Sequence, residues 1–297
     1  MINVITTRRY WFLFSGALVA ASIAAIVVFG LRLGIDFTGG TLVEVQFNES
    51  RPEKTRVEQI LVESRVEKAT VQFLGERGYL VRAAFIDEAQ HAMLTGAFKQ
   101  AFGDSWREER FETIGPTVSQ ELKRNTLYAI VLVILSIVVY IAWTFRRVSE
   151  PVNSWKYGVC AIIALLHDVV IPTGVFAVLG RFGAVEIDAL FVTALLTIFG
   201  FSVNDTIVMF DRIRENLQKR RHDPFEQVVH DSINQTVTRS INTTMTTLLA
   251  LVAVYFFGGA TTKYFALALI IGFISGVYSS IFLASPLLVT WYHRQGK

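Results

Sequence analysis

Six long apolar runs constrain this chain more than any other feature. They cover about residues 10–31, 126–145, 157–179, 189–210, 241–257 and 264–291. A helix needs about 20 predominantly apolar residues to cross a bilayer, and most of these runs reach that length. The fifth is the shortest and opens on polar residues. The chain is 52% hydrophobic and only 18% charged, the balance of a polytopic membrane protein rather than a soluble domain. The first run is too long for a signal-peptide core and lacks a small-residue cleavage site, so it reads as a retained span. The single cysteine, Cys160, lies in an apolar run and reads as a small buried side chain. The basic residues gather at the ends of the runs, which argues against nucleic-acid binding.

About 90 residues of soluble character separate the first two runs. Residues 42–47 alternate apolar and polar, as a strand does. Residues 53–68 offer Val57, Ile60, Leu61 and Val66 on one helical face. Residues 71–74 and 79–83 read as strands around a glycine turn, and 87–102 as a helix capped by Asp87. A last strand covers 106–114. The order β-α-β-β-α-β predicts a ferredoxin-like α+β domain. The expected organisation is residues 1–32 as a tail and first span, 33–122 as an extracytoplasmic domain, and 123–297 as five further spans with a cytoplasmic loop at 211–238. In that loop Asp223 and Pro224 predict the start of a short surface helix before the fifth span.

Lysine and arginine set the expected orientation. With a cytoplasmic N-terminus, the inside receives Arg8, Arg9, Arg146, Arg147, Lys156, Arg212, Arg214, Lys219, Arg220, Arg221, Arg294 and Lys297. The short outside loops receive only Arg181 and Lys263.

Asn204 and Asp205 sit inside the fourth run. An intramembrane carboxylate costs roughly 2.5–3.5 kcal/mol on insertion scales and is offset by a proton, a cation or water. Those are the parts of a proton relay, which makes Asp205 the candidate centre; the alternative is a hydrogen-bonding group that fixes packing. Thr193, Thr197, Gly200 and Asn204 share one face, expected to meet other helices. Arg239, at the start of the fifth run, is the expected counter-ion of Asp205, or else a snorkelling positive-inside residue. Arg239, Asn242, Thr243, Thr246 and Thr247 form a wet helical face. His167 and Asp168 fall about 17 Å into the third run at 1.5 Å per residue. They extend a proton path or pack a partner helix. They lack the further ligands of a metal site. No nucleophile constellation suggests hydrolysis, so no enzymatic activity is expected.

The loop 33–41 carries Gly34, Asp36, Gly39 and Gly40. It lacks the lysine and spacing of a phosphate loop and reads as a structural elbow.

Gly34-Ile35-Asp36-Phe37-Thr38-Gly39-Gly40, Gly115-Pro116-Thr117-Val118-Ser119, His167-Asp168, Val203-Asn204-Asp205-Thr206-Ile207-Val208 and Arg239-Ser240-Ile241-Asn242-Thr243 stand in this order along the chain. Together they resemble the SecF branch of the SecD/SecF family, within the resistance-nodulation-division (RND) superfamily. The resemblance implies a six-helix half-unit that pairs with SecD and uses the proton-motive force to complete protein export. It implies SecYEG, YajC, the translocating unfolded polypeptide and the lipid bilayer as partners, and no cofactor beyond the proton gradient. It carries the proton path onto Asp205 and Arg239. Two rival readings stand beside it: a structural scaffold of the translocon, and a half-size exporter of small molecules or lipids.

Overall fold

The computed structural model describes residues 3–146, 152–183 and 185–294. Arg147 and Lys297, counted above for orientation, lie outside the described residues. Two compact units emerge, one formed by Leu33–Leu127 and the other by the remaining described residues.

The smaller unit opens with a short helix, α2 (Ile35–Thr38), which leads into strand β1 (Gly40–Phe47). Helix α3 (Lys54–Glu63), strands β2 (Thr70–Leu74) and β3 (Gly78–Ala83), helix α4 (Glu88–Phe102) and strand β4 (Trp106–Ile114) follow. The four strands form one antiparallel sheet in the order β2-β3-β1-β4. β1 is central: Val43 faces Val81 on one side and Phe111 on the other. Alternation along β1 buries Val43, Val45 and Phe47 against Val57, Ile60 and Leu61 of α3 and Leu94 and Phe98 of α4. Asp87 caps α4 through the Gln90 amide at 2.8 Å, as its position before the helix predicts. Helix α3 stops at Glu63, short of the expected 68, because Arg65 and Lys68 take left-handed φ values of 56° and 52° that a helix cannot continue.

Glu44 also lies on β1, and burial pushes its carboxyl above the ordinary value, more than the nearby Arg110 lowers it. The folded unit therefore holds this proton more tightly than the unfolded chain, and its stability falls as pH rises from the ordinary carboxylate value of 4.5. Glu44→Gln removes that loss. Its melting temperature should exceed the wild type's at neutral pH, with the difference closing toward acid.

Among the described residues, six helices are long and apolar enough to cross a membrane. They are α1 (Arg8–Phe29), α5 (Pro116–Thr144), α6 (Ser154–Phe182), α7 (Ala189–Lys219), α8 (Phe225–Phe257), and a last rod in three parts. That rod is α9 (Ala260–Ser279), a π-helical segment Ser280–Ala284, and α10 (Ser285–His293). Pro286 has no N–H for the carbonyl four residues earlier, a local reason for the wider turn before it. Tyr157, Cys160, Ala164, Met209, Phe210 and Leu288 belong to the core of this unit, all buried.

Helix α8 differs from expectation. The sequence predicts a short surface helix followed by a separate span; the structure has one helix of 33 residues. No glycine or proline falls inside it, so nothing breaks it. Pro224 rather than Asp223 takes the cap position. The first turns bury Phe225, Val228, Val229 and Ile233, as their spacing predicts. Glu226 reaches both Arg8 at 2.9 Å and His293 at 2.7 Å, joining the starts of α1 and α8 to the end of α10.

Helices α1 and α6 cross closely at a glycine. A Cβ on Gly174 would stand 2.5 Å from the Cα of Ser22. Backbone cannot yield there as a side-chain tip can. Gly174→Val should therefore push the two helices apart and cost about 1–3 kcal/mol by overpacking, measurable as a lower melting temperature in detergent.

Candidate functional site

Asp205 lies on α7, half-buried. Its Oδ1 accepts a hydrogen bond from the Ser240 hydroxyl of α8 at 2.5 Å, while its Oδ2 is buried with no hydrogen-bond partner. The next residue, Thr206, is bonded to Ser280 at 2.9 Å, the first residue of the π-helical segment. A carboxyl group held by one oxygen, with the other unoccupied and shielded, is a place where a proton can be added or removed without dismantling the site.

The structure does not bring Arg239 to Asp205. Among the described residues neither side chain belongs to an ion pair, and Arg239 is exposed. Helical phase gives the reason. Successive residues are about 100° apart, and α8 buries Ser232, Thr236, Ser240 and Thr244 at four-residue intervals. Ser240 belongs to that inward stripe, so its neighbour Arg239 points away from it.

His167 and Asp168, on α6, are both buried, Asp168 completely. Asp168 is surrounded by donors. Ser202 of α7 reaches Oδ2 at 2.5 Å, Ser279 of α9 reaches Oδ2 at 2.6 Å, and Ser275 of α9 reaches Oδ1 at 3.0 Å. The His167 Nδ1 stands 2.9 Å from Oδ1. The close approach of helices that this requires is made at Gly276, where a Cβ would meet Ser202 at 3.3 Å. Pro172 follows Asp168 by four residues and so offers no N–H to its carbonyl, loosening α6 beside the acid. The His-Asp pair stands out in the sequence, and its serines do not. The available signal was weak: Ser275 and Ser279 share a face at four-residue spacing, yet serines are ordinary in apolar helices.

Thr193, Thr197, Gly200 and Asn204 do share one face, and it is exposed in this chain. Arg239, Asn242, Thr243 and Thr246 on α8 are exposed as well. Thr193, Thr197, Thr243 and Thr246 return their hydroxyls to carbonyls of their own helices, which lowers the cost of a nonpolar setting. Among the described residues, the Asn204 and Arg239 side chains make no hydrogen bond of this kind. Among the described residues, no cluster of three or more histidine, cysteine or acidic side chains could hold a metal.

The glycine loop and the Gly115-Pro116 motif meet within the smaller unit. Gly34 precedes α2 and Asp36 lies in its first turn. Gly39 and Gly40 have φ of 71° and 120°, conformations that side chains resist. A Cβ on Gly39 would approach Ser119 at 3.2 Å, and one on Gly40 would strike the Ala83 carbonyl at 2.7 Å. Pro116 begins α5, the favoured place for proline.

Comparison with known proteins gives these sites a context. Residues 94–294 match the family model described as "Protein export membrane protein SecD/SecF, C-terminal". Residues 24–50 match the "SecD/SecF GG Motif". The chain belongs to the SecD/SecF family. It is 46% identical to "Protein translocase subunit SecF" of Thermobaculum terrenum, over 99% of this chain and 95% of that one. It is 35% identical to "Protein translocase subunit SecDF" of Bacillus subtilis, over 98% of this chain and 38% of that one. The crystal structure of SecDF from Thermus thermophilus, described as a translocon-associated membrane protein, superposes with a TM-score of 0.83 at 34% identity. The match covers 99% of this chain and spans 39% of the SecDF chain. The GG-motif match includes Gly39 and Gly40, and Asp205 lies within the match to the C-terminal family model.

Proposed function

We propose that this chain is a SecF-type accessory subunit of the Sec protein translocase, which pairs with SecD and uses the proton-motive force to complete translocation of unfolded polypeptide. The observation that carries the reading is the Asp205 carboxyl: half-buried in a membrane-length helix, tied to Ser240 through Oδ1, with Oδ2 buried and without a hydrogen bond. Full-length similarity to proteins named as SecF supports the translocase assignment. Arg239 and Asn204 lie on exposed faces of their helices. Lipid cannot satisfy those polar groups, whereas a second half-bundle could cover them. In that assembly Arg239 regains access to the proton path from the SecD side. SecYEG and YajC complete the machinery.

The protein resides in the bacterial cytoplasmic membrane with both termini inside, following its lysines and arginines. Residues 33–122 form a ferredoxin-like α+β domain on the outside between the first two spans, which engages the emerging chain. The strand order β2-β3-β1-β4, with helices after β1 and β3, supports that reading. The 211–238 segment is cytoplasmic. The chain is a transducer and not an enzyme. The test is complementation of a bacterium depleted of its own SecF. Co-expressed with its cognate SecD, this chain should restore precursor export; failure in membranes where the complex assembles would overturn the assignment.

A further inference from the structure

His167 carries an atom that the proton path through Asp205 does not use. Its Nε2 is buried and has no hydrogen-bond partner. Its Nδ1 lies 2.9 Å from Asp168 Oδ1, and the tautomer that carries its proton on Nδ1 donates there. Three serine hydroxyls also converge on Asp168. Four donors around one carboxyl group suit the ionised form, which accepts and does not donate. With the ring neutral, α6 then holds an uncompensated negative charge at full burial. A proton on Nε2 converts the pair to imidazolium and carboxylate, with no net charge.

We propose that His167 Nε2 is a second proton-binding atom of this bundle, with Asp168 as its fixed counter-ion. The inference rests on the proton-coupled reading above and extends it to a second site. The surroundings contain few competing groups. On its own helix His167 faces Asp168. From α9 it meets the Tyr278 ring, stacked at 5.8 Å, and Ser275. Around that pair α1 contributes Ser15, bonded to the Tyr278 hydroxyl at 3.0 Å, and α7 contributes Ser202, bonded to Asp168. The next carboxyl group is Asp205, which interacts electrostatically with Asp168.

The two acids are also joined by the last span. Ser279 binds Asp168, and the following residue, Ser280, binds Thr206, beside Asp205. Consecutive serines serve the two sites where α9 gives way to the π-helical segment. π turns mark functional positions in helices. The two sites thus share one turn of the last span.

The deciding experiment is nitrogen NMR of the full chain, labelled with [15N]histidine and reconstituted in lipid vesicles. The His167 signal is assigned by its loss in His167→Gln. At alkaline pH the ring should be neutral and protonated on Nδ1. It should convert to imidazolium as pH falls, and Asp168→Asn should lose that imidazolium signal at the same pH. A single neutral tautomer over the whole range in which the protein stays folded would overturn the proposal, as would conversion unaffected by Asp168→Asn. The wild-type spectrum alone can overturn it, so a variant that fails to fold does not leave the question open. Normal proton-driven export in Asp205→Asn would sink the broader reading without altering this result.

Discussion

Asp205→Asn should abolish the proton-driven phase of precursor export while leaving the protein folded and assembled. Asparagine is nearly isosteric with the carboxyl group and can still accept the Ser240 hydrogen bond at 2.5 Å. What it cannot do is gain or lose a proton at the unpartnered oxygen. A membrane potential of 100 mV supplies about 2.3 kcal/mol per charge moved, which is roughly a fiftyfold bias on an equilibrium at 1.4 kcal/mol per tenfold. Export from vesicles with an imposed gradient should therefore fall by about that factor, to the level measured without a gradient. Thermal unfolding should be little changed. Arg239→Gln, acting from an exposed position, should weaken the same phase only when the SecD partner is present.

The second large effect is structural. Asp168→Ala leaves His167 and the serines of α7 and α9 without their common acceptor in a fully buried site. A buried donor left without an acceptor costs about 1–3 kcal/mol, and several share this one carboxyl group. That is a large part of ordinary folding stability, and the melting temperature in detergent should drop by several degrees or more. The single-hydroxyl change Ser202→Ala should cost far less, about 1 kcal/mol, because three donors remain. Equal losses for both variants would show that the four contacts do not act around one centre.

The membrane helices were legible because their signal is length: an apolar run of about 20 residues has few other uses. The sheet of the smaller unit was legible from alternation, with Val43, Val45 and Phe47 on one face of β1. Helix ends were less so. α8 ran on through the expected boundary because the polar stretch before residue 241 contains neither glycine nor proline.

Site residues followed a similar division. Charged groups in apolar runs announce themselves, so Asp205, His167 and Asp168 could be named in advance. Their partners could not. Ser202, Ser240, Ser275 and Ser279 are short side chains whose roles depend on which helix lies opposite, and a single sequence does not contain that information. Depth along the two helices places Asp205 and Arg239 at similar levels, and rotation about α8 sets them on different faces within this chain. Ser240 occupies the inward phase of α8, so Arg239 faces outward.

In the function proposed above, Asp205 moves protons. The most direct measurement is proton flux in vesicles containing this chain assembled with its SecD partner, a pH-sensitive dye trapped inside, and a potential imposed across the membrane. The wild-type complex should change the internal pH, and Asp205→Asn vesicles with the same amount of complex should give the rate of empty vesicles. A variant that carries protons as fast as the wild type would contradict the account and leave Asp205 a packing residue.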